Sequence, residues 1–155
     1  MPLPSRKHIR LLPERYRQIG AVCSVTFVTR ERREIFASPE VARMAVDVIR
    51  RQAAVSLMLI YAYCVMPDHV HLILATAAER DIVRFVGEVK NLVQRGCWER
   101  GQRGRIWQTS FYDHFLRAEE DLAQAVEYVL ANPVRRGLVT DWRDYAYCGS
   151  LVIDL

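Results

Sequence analysis

The stretch Ser56–Thr76, SLMLIYAYCVMPDHVHLILAT, decides the fold. From Ser56 to Met66 it is nearly continuously apolar, rich in branched and aromatic residues, and free of Gly and Pro. That is the composition of a strand buried on both faces. Pro67 and Asp68 form a turn signal. His69–Thr76 (HVHLILAT) then reads as the returning strand. The reading is an antiparallel hairpin at the centre of a sheet.

The flanking segments extend this hairpin on both sides. Upstream, Val22–Thr29 (VCSVTFVT) alternates and is β-rich, which predicts a strand. Ser38 can cap a helix with Pro39 at its first position, and Val41, Met44, Ala45, Val48 and Ile49 keep helical spacing from Glu40 to Arg51. Downstream, Ile82, Val83, Phe85, Val86, Val89, Leu92 and Val93 mark a second amphipathic helix. It is expected to run out into a basic, glycine-bearing loop from Arg95 to Arg105 (RGCWERGQRGR). Ile106–Arg117 (IWQTSFYDHFLR) reads as a loop feeding a fourth strand. Asp121–Ala131 is a third helix, ended by Asn132 and Pro133. The order strand, helix, strand, strand, helix, strand predicts an α+β fold, the ferredoxin-like split β-α-β arrangement with an antiparallel sheet. Two helices cover one face, and the third is expected on the other. The chain reads as one domain over 1–155, with 1–17 a basic N-terminal arm.

Bulk properties bound the function. A length of 155 residues suits one domain with a sizeable core. No apolar run approaches the length of a membrane span, and MPLPSRKHIRLLPERYR lacks the apolar region of a signal peptide. The expectation is a cytoplasmic protein with no membrane partner. The net charge is +4, and all of the 22 cations except Lys7 and Lys90 are Arg. Arginine's planar fork suits phosphate and stacks on bases, although a GC-rich genome favours Arg codons equally. Cys23, Cys64, Cys97 and Cys148 include no C-x-x-C pair, which argues against a zinc ribbon or a disulfide framework.

Chemistry-bearing residues gather in two places. His69 and His71 are two apart on a strand, so both imidazoles point to one face, where they can share an ion, while Val70 points into the opposite layer. The other reading is a turn cap followed by an exposed polar residue. On the third helix, Leu122, Ala125, Val126 and Val129 form the core stripe, and Asp121, Gln124, Tyr128 and Asn132 a separate polar one. Tyr128 is either a reactive group or an amphipathic border residue. Asn132 either ends the helix or faces Tyr128. Arg135 and Arg136 are either solvated charges or phosphate ligands.

Read together and in order, VMPDHVHLIL, WQTSFYDHFLR and EYVLANPVRRGLV resemble the REP-associated tyrosine transposases, which are HUH single-tyrosine transposases of the bacterial insertion-sequence type. The resemblance covers roughly Tyr16 to Tyr147. It implies that His69 and His71 are the two histidines of the HUH motif and hold a divalent metal, Mg²⁺ or Mn²⁺. Tyr128 is then the nucleophile, forming a 5′-phosphotyrosine, and Asn132 a candidate third ligand. Asn132 is one methylene shorter than the Gln often found there in the wider group. The tail departs too: where the family commonly has W-P-x-S-S, Trp142 is followed by RDYAYCGS. The substrate implied is single-stranded DNA with hairpin structure. Arg95, Arg100, Arg103, Arg105, Arg135 and Arg136 are candidate backbone contacts, and Trp107 and His114 are further DNA-binding candidates. The relatives include homodimers, so a homodimer is one expected state. The alternative function is a catalytically silent, domesticated DNA-binding protein.

Overall fold

The central hairpin forms as its composition dictates: β2 spans Met58–Met66 and β3 spans His69–Thr76. A computed structural model of the chain describes residues 13–117 and 120–155. Around the hairpin lie β1 (Cys23–Val28), α1 (Pro39–Ser56), α2 (Ile82–Glu99), β4 (Tyr112–Phe115), α3 (Leu122–Leu130), α4 (Asn132–Arg135) and β5 (Cys148–Gly149). The sheet order is β4-β1-β3-β2-β5, with every pairing antiparallel. Its first four strands have the expected split β-α-β order. The edge strand β5 is an addition that the sequence did not signal.

Alternation along the strands separates two layers. Val25, Phe27, Val65, Val70, Leu72 and Leu74 pack with α1 and α2 on one face. Ala62, Cys64, Met66 and Ile73 pack on the other against Val126, Val129 and Leu130 of α3. The third helix therefore covers the second face, as expected, and that is the face to which His69 and His71 belong.

Several boundaries differ from the sequence reading. Pro39 starts α1 as expected, but the Ser38 side chain makes no capping bond; the helix continues to Ser56 and stops at Leu57, whose φ of 55° is left-handed. The supposed loop from Arg95 begins as helix, because α2 runs through Gly96 to Glu99. Glycine disfavours helix by about 1 kcal/mol, but here it gives α1 room to approach: a Cβ on Gly96 would lie 2.5 Å from the Met44 sulfur. Of the expected N-terminal arm, residues 1–12 lie outside the described residues. Residues 13–17 form a 3₁₀ turn docked on the core, with Tyr16 2% exposed and its ring edge-on to Phe115 at 5.6 Å.

The segment after α4 closes against β2. The Tyr145 hydroxyl donates to the Val65 carbonyl at 2.6 Å, and Val65 N–H donates to the Tyr147 carbonyl at 2.9 Å. Tyr145→Phe removes one partly buried hydrogen bond and is expected to cost about 1 kcal/mol. A lower urea midpoint with unchanged slope would show it. Among the described residues no helix is long and apolar enough to cross a membrane.

Candidate active site

Strand alternation carries His69 and His71 to the α3 face together. Their rings meet edge to face at 4.6 Å between centroids, and their Nε2 atoms are 3.1 Å apart. Each imidazole is held from behind. His69 Nδ1 lies 2.6 Å from Asp68 Oδ1, and His71 Nδ1 lies 2.7 Å from the Thr26 hydroxyl, delivered by its cross-strand neighbour in β1. Burial pushes the His69 pKa below the ordinary value despite Asp68. Burial, with His69 and Arg135 adding to it, pushes His71 down to about 3. Both rings are thus neutral near pH 7. Burial opposes ionisation of Asp68, but the His69 hydrogen bond, with Arg136 and Arg32 nearby, holds its pKa below the usual value. An ionised Asp68 accepts the Nδ1–H of His69, leaving the Nε2 lone pair free to bind.

Asp68 is the hub that sequence reading treated only as a turn former. Arg32 Nη1 lies 3.2 Å from its Oδ2, and Arg136 Nη2 lies 3.9 Å from its Oδ1. The turn carrying Arg32 is itself pinned here: Thr29 N–H and its hydroxyl both donate to the Asp68 carbonyl, at 2.9 and 3.0 Å. Within that turn Glu31 and Arg32 have φ of 58° and 51°. Left-handed backbone at non-glycine residues costs roughly 1–2 kcal/mol each, so the surrounding contacts hold this turn in place. Thr26, Asp68 and Arg32 are the site residues that motif reading missed. The signals were present: Asp68 abuts His69, Arg32 belongs to the RERR run after β1, and Thr26 becomes visible once β1 and β3 are registered.

Tyr128 lies on α3, 42% exposed. Val126, Val129 and Leu130 bury the helix's opposite side, and Asp121 caps its start by accepting from Ala123 N–H. The Arg135 guanidinium stacks over the Tyr128 ring at 3.9 Å and donates to the Tyr128 carbonyl at 2.8 Å. The same Arg135 is close enough to depress the His71 pKa. Arg135 and Arg136 thus tie the tyrosine helix to the histidine strand, one through Tyr128 and the other through Asp68. Among the described residues Tyr128 makes no hydrogen bond to either imidazole.

Other expected site residues fall differently. Asn132 leaves the polar stripe, because the helical run breaks at Ala131 and Asn132 opens α4; it is 8% exposed, and its side-chain nitrogen has no partner among the described residues. Trp107 is a core residue rather than a DNA contact: it is 4% exposed, its ring is edge-on to Phe27 at 5.0 Å, and its indole N–H donates to the Lys90 carbonyl at 2.9 Å. It has no free face for a base. His114 shares the histidine face by strand pairing and lies 2.9 Å from Glu120. Arg95 is exposed at the end of α2, and Arg103 is exposed in the loop beyond it. Arg105 donates to Thr109 at 3.0 Å, and Arg100 pairs with Glu40 at 3.4 Å and donates to the Gly96 carbonyl at 3.0 Å. The loop carrying Arg103 and Arg105 returns to the histidine end of the sheet, where Arg30 N–H bonds the Ile106 carbonyl and Gln108 N–H bonds the Val28 carbonyl.

The donor set suits a divalent metal. Two neutral imidazoles present their Nε2 atoms 3.1 Å apart, close to the ~3 Å separation of two ligands about 2.1 Å from one ion at right angles. Among the described residues no cluster of three or more His, Cys, Asp or Glu side chains could hold a metal. Among the described residues the Asn132 amide is a further oxygen donor on this side of the sheet, and water or a phosphate could complete the set.

Comparison with known proteins places the chain among transposases. The family described as IS200-like transposase matches residues 20–132. A REP-associated tyrosine transposase of Haemophilus influenzae is 28% identical over 97 residues, covering 56% of this chain and 55% of that protein. One of Escherichia coli K12 is 29% identical over 89 residues, covering 57% and 52%. The chain thus spans about half the length of the curated relatives it matches. A solved REP-associated tyrosine transposase bound to a REP hairpin superimposes with a TM-score of 0.75 at 24% identity, over 92% of this chain and 82% of that one. A Deinococcus radiodurans transposase superimposes with a TM-score of 0.55 at 24% identity, over 83% and 95%. These two likenesses are of fold.

Proposed function

The chain belongs to the IS200-like transposase family, and from that premise we propose that it nicks and rejoins single-stranded DNA through a covalent bond to Tyr128, with His69 and His71 holding Mg²⁺ or Mn²⁺. The observation that carries the reading is the apposition of the two imidazole Nε2 atoms at 3.1 Å on the sheet face covered by the tyrosine-bearing helix. The relatives named as REP-associated transposases, and the structural neighbour bound to a REP hairpin, support hairpin-bearing DNA as the substrate class.

The chemistry follows from the groups present. A bound divalent ion would withdraw charge from the scissile phosphate. Tyr128 attacks the phosphorus through its phenolic oxygen, forming a 5′-phosphotyrosine and releasing a 3′-hydroxyl. That hydroxyl, or one from another strand, attacks the phosphotyrosine and restores a phosphodiester, so the bond energy is conserved and no nucleotide cofactor is consumed. Asp68 and Thr26 fix the ring orientations of His69 and His71. Arg135 holds the Tyr128 ring and places positive charge beside it. Exposed Arg95 and Arg103, with Arg105 and Arg136, are the proposed backbone contacts; Arg100 contributes through whatever its pairing with Glu40 leaves free.

Two expected results separate these roles. Asp68→Asn keeps the shape but lacks the charge that orients His69; it should weaken Mn²⁺ binding by about 10–100-fold, read by calorimetry. Arg135→Ala should lower the single-turnover cleavage rate by about tenfold or more with a smaller change in DNA affinity. If Arg135 acted only on DNA phosphate, the affinity and its salt slope would fall and the rate at saturation would not.

The test of the function is incubation with Mn²⁺ and end-labelled single-stranded hairpins. Cleavage at one position, leaving a 3′-hydroxyl that a polymerase can extend, supports the proposal. Salt-dependent binding to the same hairpins without cleavage would replace it with a DNA-binding role.

A further inference from the structure

On the α3 face the strand registers line up one row across the whole sheet: Tyr112, Thr26, His71, Cys64 and Cys148, each paired with the next. The last two members are thiols, neither with a role in the chemistry above. Both are free and buried. Val65 N–H donates to the Tyr147 carbonyl at 2.9 Å, which makes 65/147 a hydrogen-bonded pair. Cys64 and Cys148 next to it are then a non-hydrogen-bonded pair, whose Cα atoms lie roughly 4.5 Å apart with side chains at their closest. A disulfide spans Cα separations of about 4.4–6.8 Å. Both side chains belong to the one buried cluster on the α3 face, and their proximity raises the pKa of Cys64 and lowers that of Cys148. The Cys148 sulfur also lies 3.5 Å from the Trp142 and Tyr145 carbonyls. Cys23, by contrast, faces Leu74 and Phe115, and Cys97 lies on α2.

We propose that Cys64 and Cys148 are a redox-active dithiol, which peroxide closes to a cross-strand disulfide and a dithiol reductant reopens. In the first step the Cys148 thiolate attacks one peroxide oxygen. The O–O bond breaks, leaving a sulfenic acid and hydroxide. The Cys64 sulfur then attacks the sulfenic sulfur; the S–S bond forms, the S–O bond breaks, and the oxygen leaves as water with the Cys64 proton. The hydroxide takes up the proton that Cys148 had lost. Two thiols and one hydrogen peroxide thus give one disulfide and two waters, with two electrons passing from sulfur to oxygen. The bond would tie β5 to β2 immediately beside His71. It would also enclose both the histidine strand and the tyrosine helix in one covalent loop.

The test treats the full chain near neutral pH with graded hydrogen peroxide, alkylates it under denaturing conditions and maps its peptides without reduction. The expected product joins the Cys64 and Cys148 peptides with a mass two hydrogens below their sum. It disappears on reduction, while Cys23 and Cys97 are recovered as alkylated thiols. The oxidised chain should also melt higher than the reduced one, by about 5 °C or more, and Cys148→Ser should lose both the cross-link and the shift. The wild-type map decides the question even if that variant fails to fold. Sulfinic acid on Cys148 with Cys64 still reduced would overturn the proposal, as would a cross-link through Cys23 or Cys97. So would four unreacted thiols at peroxide levels that oxidise free cysteine.

Discussion

Tyr128→Phe is expected to abolish DNA cleavage and rejoining, by at least ~10³-fold in single-turnover rate, because it removes the phenolic oxygen proposed to form the covalent bond. The fold should not change. Tyr128 is 42% exposed, and its contacts with Arg135 involve the ring and the backbone carbonyl, all of which survive in phenylalanine. Binding to a labelled hairpin, followed by fluorescence anisotropy, should therefore persist while the nicked product vanishes. Cleavage that survives the change would remove Tyr128 from the mechanism. Tyr112 would then be the group to examine, since the registers place it beside Thr26, and Thr26 beside His71, on the same face.

His71→Ala carries the second large effect. It deletes one of two imidazole donors and leaves the Thr26 hydroxyl without the ring nitrogen now 2.7 Å away. Mn²⁺-dependent cleavage should fall on the order of 10²-fold or more, and calorimetric Mn²⁺ binding should weaken in parallel. Hairpin affinity measured without metal should change little, because the proposed DNA backbone contacts rest on the arginines. The contrast with Asp68→Asn is informative: that change leaves both nitrogens in place and disturbs only the orientation of one ring, so its loss should be the smaller. Equal Mn²⁺ affinity in wild type and His71→Ala would separate the histidine pair from the metal altogether.

The parts of the molecule legible in the sequence are those whose signal is local. The bounds of β3, His69–Thr76, could be read directly because Pro67 and Asp68 delimit an otherwise unbroken apolar segment. The spacing of His69 and His71 then put both rings on one face without further information. The strand–helix order likewise carried the four-strand arrangement. What escaped reading depends on contacts distant in sequence. Strand β5 is two residues long and exists because the segment around Tyr145 and Tyr147 bonds to Val65. Gly96 looks like a helix breaker until Met44 is seen to occupy the space it leaves. Trp107, just beyond the basic loop, reads equally as a stacking surface or a core residue until Phe27 and Phe36 are seen to hold it in the core.

The candidate site divides in the same way. His69, His71 and Tyr128 could be named through the ordered motifs and the family they resemble, whereas spacing alone left each of them a second reading. Helical periodicity put Asn132 on the Tyr128 stripe, but the break at Ala131 turned it inward. Asp68 and Thr26 are ordinary turn and strand residues in one dimension. Their roles emerge only when Arg32, Arg136 and the two imidazoles of β3 converge on them from three separate segments. Arg135 and Arg136 were readable as cations but not as the pair that joins the tyrosine helix to the histidine strand.

The most direct measurement of the central claim is capture of the covalent intermediate. The protein would be incubated with Mn²⁺ and a labelled single-stranded DNA hairpin, denatured, and digested for peptide mass spectrometry. The account predicts a denaturation-resistant adduct whose DNA is attached through a 5′-phosphate to the peptide containing Tyr128, absent in Tyr128→Phe and in His69→Ala. An adduct on any other residue, or cleavage that proceeds with no adduct at all, would contradict it.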